Sequence, residues 1–101
     1  MAESSKPTIT VFSGKTATYT SPAFEAPNRV LTYQVVGTLG AGDSVAIQVS
    51  AMNPTEGATF ETVYTFDSTT DKIENIEVGE GCFYKAVFTS ANANSTSLYS
   101  K

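Results

Sequence analysis

The stretch that decides the fold class is residues 30–50, which read VLTYQVVGTLGAGDSVAIQVS. Large apolar side chains occupy every second position at both ends of this stretch, and polar ones such as Gln34 stand between them. Alternation with a period of two predicts a β-strand with one buried face, here over residues 30–36 and again over residues 44–50. The glycine-rich residues 37–43 predict a loop, and we expect the two strands to form a hairpin.

The rest of the chain carries the same signal. It contains fifteen threonines, nine valines and four isoleucines, types that suit the pleated and half-buried surface of a sheet. No window holds an apolar stripe of helical period over three turns. The proline-containing residues 22–28 are expected to cross between sheets. Further strands are predicted over residues 8–12, 15–20, 59–66, 72–78, 83–90 and 95–99.

Residues 83–90 differ from the other predicted strands because both of their faces are apolar. The two faces carry Phe83 and Val87 on one side and Tyr84, Ala86 and Phe88 on the other. A strand of this kind belongs in the middle of a packed core or under a contact between subunits. Together with residues 95–99 it is expected to close a second hairpin.

The length of 101 residues allows one hydrophobic core. Seven or eight short strands separated by turns predict an all-β chain with a single domain, folded as an antiparallel β-sandwich or small jelly roll. We expect this domain to span residues 8–101 and residues 1–7 to form a flexible N-terminal arm.

The composition argues against most chemistry. The chain has no histidine, which removes the commonest general base and zinc ligand. Its net charge is −4 with no basic cluster, which argues against binding to nucleic acid. The carboxylates between Asp67 and Glu80 match neither a calcium loop nor a glycosidase pair and are interpreted as a solvated acidic rim. We therefore expect no enzyme activity, no catalytic residues, no metal site and no cofactor.

No apolar segment has the length of a signal peptide or a membrane span. The sequence therefore predicts a protein that has no signal peptide, is made in a cytoplasm and does not enter a membrane.

The order of the predicted elements resembles that of small structural proteins of tailed bacteriophage virions, including head decoration (cement) proteins and related fibre modules. The resemblance rests on residues 31–36, the strand SVAIQVS, the turn NPTEG at residues 53–57, the aromatic strand of residues 60–66 and the strand FYKAV at residues 83–87. It implies a capsid decoration protein that binds and stabilises the phage head. It further implies a virion protein that is assembled in the cytoplasm of a bacterial host. The expected partners are other copies of the chain, in a homotrimer, and the major capsid protein or other virion proteins.

Two contact regions are predicted on this interpretation. The apolar strand and the C-terminal hairpin are assigned to the oligomer interface, with Phe83, Tyr84, Ala86, Phe88, Leu98 and Tyr99. The N-terminal arm is assigned to the capsid contact, with Ala2, Glu3, Ser4, Ser5, Lys6 and Pro7.

Two other functions remain open. A carbohydrate- or receptor-binding module would stack its ligand on exposed aromatic side chains, for which Tyr19 and Tyr99 are the candidates. A phage tail or adaptor component would form rings instead of trimers.

Overall fold

The computed structural model describes residues 7–101, and the regular secondary structure of these residues is almost entirely β-strand. The strands are β1 (Ile9–Lys15), β2 (Tyr19–Thr20), β3 (Phe24–Glu25), β4 (Val30–Gly37), β5 (Ser44–Ser50), β6 (Glu61–Asp67), β7 (Ile73–Glu77), β8 (Phe83–Thr89) and β9 (Thr96–Ser100). One 3-10 turn, Pro54–Glu56, lies between β5 and β6. Within this part of the chain, no helix has the length and apolar character needed to cross a membrane.

The strands form two antiparallel sheets. Sheet A has the order β1-β9-β4-β7, and sheet B has the order β2-β8-β5-β6, with β3 also paired to β8. If β2 and β3 are counted as one interrupted strand, the first four strands pair with the last four in reverse order, from β1 with β9 to β5 with β6. This is a long hairpin rolled into two packed sheets, which is the jelly-roll arrangement. The prediction of an antiparallel β-sandwich or small jelly roll is confirmed.

The two predicted hairpins are wrong, because the strands concerned lie in different sheets. Residues 38–43 carry the chain from β4 in sheet A to β5 in sheet B, and residues 90–95 carry it from β8 to β9. The partners of β4 are β7 and β9, whereas β8 pairs with β2, β3 and β5. Alternation identified which face of each strand is buried, but it contains no information about which strand lies beside it.

The boundaries of the first two strands differ from those predicted. β1 continues through Gly14 to Lys15, and two register shifts against β9 take up the irregular spacing. The strand predicted over residues 15–20 is therefore reduced to Tyr19–Thr20. The strand predicted near residues 72–78 is present as Ile73–Glu77.

The core lies between the two sheets. Its largest fully buried side chains include Leu31, Tyr33, Val35 and Leu98 from sheet A, and Val45, Ile47, Phe66, Tyr84 and Phe88 from sheet B. Phe12 of sheet A stacks on Phe88 of sheet B with ring centroids 5.6 Å apart. Tyr33 meets Tyr84 edge to face at 5.5 Å. These aromatic contacts join the sheets and add to the stabilisation that burial alone provides.

Asp43 joins the two loops that cross between the sheets. Asp43 is only 2 % exposed. Its carboxylate accepts hydrogen bonds from the backbone N–H groups of Ala91 at 2.6 Å, Asn92 at 3.1 Å and Gly40 at 2.9 Å. The Asn92 amide in turn donates to the Ala41 carbonyl at 2.9 Å. The Ala91 N–H, followed by the other donors, holds the pKa of Asp43 below its ordinary value, because hydrogen bonds to a carboxylate favour its charged form.

Replacing Asp43 with asparagine is expected to lower the urea midpoint at pH 7 and to weaken the loss of stability in acid. Because the folded-state pKa of Asp43 is lowered, its stabilisation is complete above the ordinary pKa of about 3.9 and disappears as the pH falls through the lowered value. Urea unfolding followed at neutral pH and below about pH 4 measures both effects. A variant that loses stability in acid as steeply as the wild type would contradict this role.

The two core tyrosines differ in their hydrogen bonding. The Tyr84 hydroxyl and the Ser100 hydroxyl are 2.8 Å apart and share a hydrogen bond, whereas the Tyr33 hydroxyl has no partner among the described residues. Burial raises the pKa of Tyr33, with a further contribution from Tyr84, and burial also raises the pKa of Tyr84 against the effect of its Ser100 hydrogen bond. The stability that depends on these groups is present below about pH 10 and is lost as the pH rises further.

Removing the Tyr33 hydroxyl is expected to be neutral or to stabilise the protein by up to about 1 kcal/mol, since an unpaired buried hydroxyl has a desolvation cost. Tyr84→Phe is the matched control, and it should destabilise the protein by about 1 kcal/mol because it leaves the Ser100 hydroxyl unpaired. Urea unfolding at pH 7 compares the two variants. If Tyr33→Phe were the more destabilising substitution, the interpretation of its hydroxyl as unpaired would be wrong.

Candidate functional site

Two acidic side chains in the segment from β6 to β8, those of Asp67 and Glu77, have local structural roles. The Asp67 carboxylate accepts hydrogen bonds from the Thr69 hydroxyl at 2.6 Å and the Thr69 N–H at 2.8 Å, which lower the pKa of Asp67. Glu77 forms an exposed ion pair with Arg29 at 3.0 Å. Among residues 7–101, no group of three histidine, cysteine, aspartate or glutamate side chains is arranged to hold a metal ion.

The predicted oligomer interface is divided by the fold between the core and two separate surfaces. Tyr84, Ala86, Phe88 and Leu98 are all 0 % exposed and point between the sheets. A side chain inside the core of its own protomer has no surface to offer a second subunit. The assignment of these four residues to an oligomer interface is therefore wrong.

Phe83 and Tyr99, the other two residues of that prediction, are half-buried and point outward. Phe83 lies on β8 in sheet B, and Tyr99 lies on β9 in sheet A. Because the outer faces of the two sheets are on opposite sides of the molecule, these residues belong to two different surfaces.

The predicted capsid contact falls almost wholly outside the described residues. Of the six residues in this prediction, the structure describes only Pro7. The other five, which lie outside the described residues, are Ala2, Glu3, Ser4, Ser5 and Lys6. Pro7 is exposed and lines an open cavity of about 380 Å³ at the end of the sandwich. The other lining residues are Ile9, Glu25, Pro27, Asn28 and Lys101.

The outer face of sheet B, together with Phe60 just before β6, carries four apolar side chains and one lysine that we call the Phe83 patch. It consists of Ala46, Phe60, Phe83, Lys85 and Val87, all half-buried. Ala46 and Val87 are directly opposite each other on β5 and β8. The Lys85 ammonium lies 4.4 Å from the centroid of the Phe60 ring, a cation–π contact that covers part of that ring.

Tyr19, one of the two residues predicted to stack a ligand, is engaged within the protein. Its ring makes an edge-to-face contact with Phe12, with centroids 6.0 Å apart, and the Lys15 ammonium lies 4.2 Å from its centroid. Tyr19 is on β2 in sheet B, so the fold does not bring it together with Tyr99 in one site.

Tyr99 lies beside a shallow depression on the outer face of sheet A, which we call the Tyr99 depression. It has a volume of about 200 Å³ and is lined by Thr8, Thr32, Gln34, Ile73, Tyr99, Ser100 and Lys101. Gln34 on β4 is directly opposite Tyr99 on β9 and Ile73 on β7. A planar amide therefore stands between an aromatic ring and an aliphatic side chain on one sheet face.

Sequence reasoning did not identify Gln34 or Lys85 as site residues. Alternation placed Gln34 on the polar face of its strand, but its position between Tyr99 and Ile73 follows from the pairing of β4 with β7 and β9. The contact between Lys85 and Phe60 joins a residue of β8 to the segment just before β6. Only the tertiary fold brings these residues together.

Comparisons of the chain with protein-family models, with curated proteins and with solved structures gave no match.

Proposed function

We propose that the protein is a non-enzymatic structural protein of a phage virion, of the capsid decoration kind, which binds the assembled head and other copies of itself. The observation that supports this proposal best is the Phe83 patch on the outer face of sheet B. Outward positions of an antiparallel sheet that faces water normally carry polar side chains. A group of apolar side chains there is typical of a surface that becomes covered by a partner.

A second copy of the chain is the occupant that we propose for the Phe83 patch. The patch lies on the central strands β8 and β5, whose backbone groups are already paired, so contact there is made by side chains. Lys85 is on the patch, and Glu25 is directly opposite Phe83 on β3. Within residues 7–101 neither charge has an ion-pair partner, and opposite charges at one surface can pair between copies.

Phe83→Glu is expected to reduce the mass of the assembled protein in solution from three protomers to one, because it places a second charge beside Glu25 within the contact. Light scattering after size-exclusion chromatography, at several protein concentrations, measures the mass. Tyr99→Glu is the matched control on the opposite face and should retain the wild-type mass. If Phe83→Glu also retained it, the Phe83 patch would not be the contact between copies.

Binding to heads tests the function itself. Purified heads of the phage that encodes the chain are stripped of small proteins, mixed with recombinant protein and sedimented. The wild-type protein is expected to sediment with the heads and to saturate them, and Phe83→Glu should bind more weakly because it cannot assemble. A wild-type protein that stays in the supernatant at all concentrations would contradict the decoration function.

A further inference from the structure

We propose that the Tyr99 depression binds one ring of a neutral saccharide, in addition to the assembly role of the opposite face. Tyr99 is half-buried, so part of its ring is free to stack against a ligand. The apolar face of a sugar ring is a suitable partner for an aromatic ring, while its hydroxyl groups require donors and acceptors nearby.

Polar groups of the required kind surround the ring. Among the described residues, neither the Gln34 amide nor the Tyr99 hydroxyl takes part in a protein hydrogen bond, so both are free to bind a ligand. Thr32 donates its hydroxyl to the Asn75 side-chain oxygen at 2.7 Å, which leaves the Thr32 oxygen free to accept. An amide that both donates and accepts, next to an exposed ring, matches the edge of a sugar with adjacent hydroxyl groups.

The charge of the site favours a neutral ligand. Among the residues that the structure describes, Lys101 supplies the only charged side chain that lines the depression. Arg29 and Glu77 neutralise each other in an ion pair at the start of β4 and the end of β7. One lysine on a chain of net charge −4 is too little positive charge to hold a polyanion.

The position of Tyr99 argues against an extended peptide as the ligand. A peptide that joins a sheet needs an edge strand with free backbone groups, whereas β9 lies between β1 and β4 with both sides paired. At β9 only side chains are available to a ligand. The depression of about 200 Å³ has room for one sugar ring and is open, so neighbouring sugars of a longer glycan can extend into solvent.

Chemical-shift perturbation with glucose, galactose and N-acetylglucosamine tests the proposal on the full chain. The expected dissociation constant is on the order of 1 mM for at least one of these sugars, as the size of a single ring dictates. The shifts should be centred on Gln34, Ile73 and Tyr99. The proposal is overturned if none of the three sugars shifts these resonances at about 50 mM, a concentration far above that constant.

Matched variants distinguish the site from general surface effects. Tyr99→Ala should weaken binding about tenfold through loss of stacking, whereas Tyr99→Phe keeps the ring and should retain most of the affinity. Gln34→Ala should also weaken binding. Gln48→Ala and Phe83→Ala, the corresponding outward positions of sheet B, should have no effect on it. Equal effects on the two faces would overturn the proposal and leave the assembly role of the Phe83 patch untouched.

Discussion

Replacing Phe88 with alanine is expected to destabilise the protein by about 3–5 kcal/mol. Phe88 is 0 % exposed and stacks on Phe12 of the opposite sheet. Its removal takes away buried apolar surface and an aromatic contact between the sheets, and it leaves a cavity that the surrounding strands fill only in part. A domain of this size has a total stability of about 5–15 kcal/mol, so the loss is a large fraction of it.

Phe83→Ala is the matched control, because it makes the same chemical change on the same strand. Phe83 points outward and is only half-buried, so the expected loss in the dissociated protomer is below about 1.5 kcal/mol. Urea unfolding of both variants at low protein concentration measures the difference. Similar losses would contradict the assignment of the two faces of β8. The same reasoning predicts that Phe88→Asp unfolds the protomer and does not merely separate subunits.

Gly37→Ala is expected to cost about 3–4 kcal/mol for a different reason, because the change adds an atom where there is no space. Gly37 ends β4 with a φ of 124°, a conformation that side chains rarely adopt. A Cβ atom there would collide with the backbone carbonyl oxygen of Ser95, immediately before β9. Backbone in a paired strand cannot move aside as the end of a side chain can, so either the crossover or the β4–β9 pairing must shift.

Gly14→Ala is the matched control that measures the cost of the backbone conformation without a collision. Gly14 also has a positive φ, 62°, but no atom lies within 4 Å of the position of an added Cβ. The expected cost is about 1–2 kcal/mol, that of the left-handed conformation alone. Thermal or urea unfolding of the pair gives the comparison. If the two variants lost equal stability, the close approach of β4 to the Ser95 carbonyl would not be a constraint on the fold.

The fold class was predictable because burial in a sheet leaves a period-two pattern in the sequence. The inward positions of β4 and β5, such as Tyr33 and Ile47, follow that pattern and are fully buried. The strand order was not predictable, because every pairing in a jelly roll except that of β5 with β6 joins strands distant in sequence. The predicted hairpins failed for this reason.

The candidate sites were predictable only in part. Two apolar faces on residues 83–90 indicated a core strand or a subunit contact, and the structure shows that the face of Tyr84 and Phe88 is the core. Tyr99 was named from the sequence as a candidate for stacking a ligand, and its ring is half-buried on the outer face of sheet A. Its neighbours Gln34 and Ile73 could not, because they are adjacent only across strands.

Mass spectrometry of purified phage particles is the most direct test of the central claim that the protein is a structural component of a virion. Particles from a lysate that contains the chain are separated on a density gradient, and peptides of the chain and of the major capsid protein are quantified in each fraction. The account predicts that the chain sediments with filled heads in a fixed ratio to the major capsid protein. A chain found only among free proteins at the top of the gradient would contradict it.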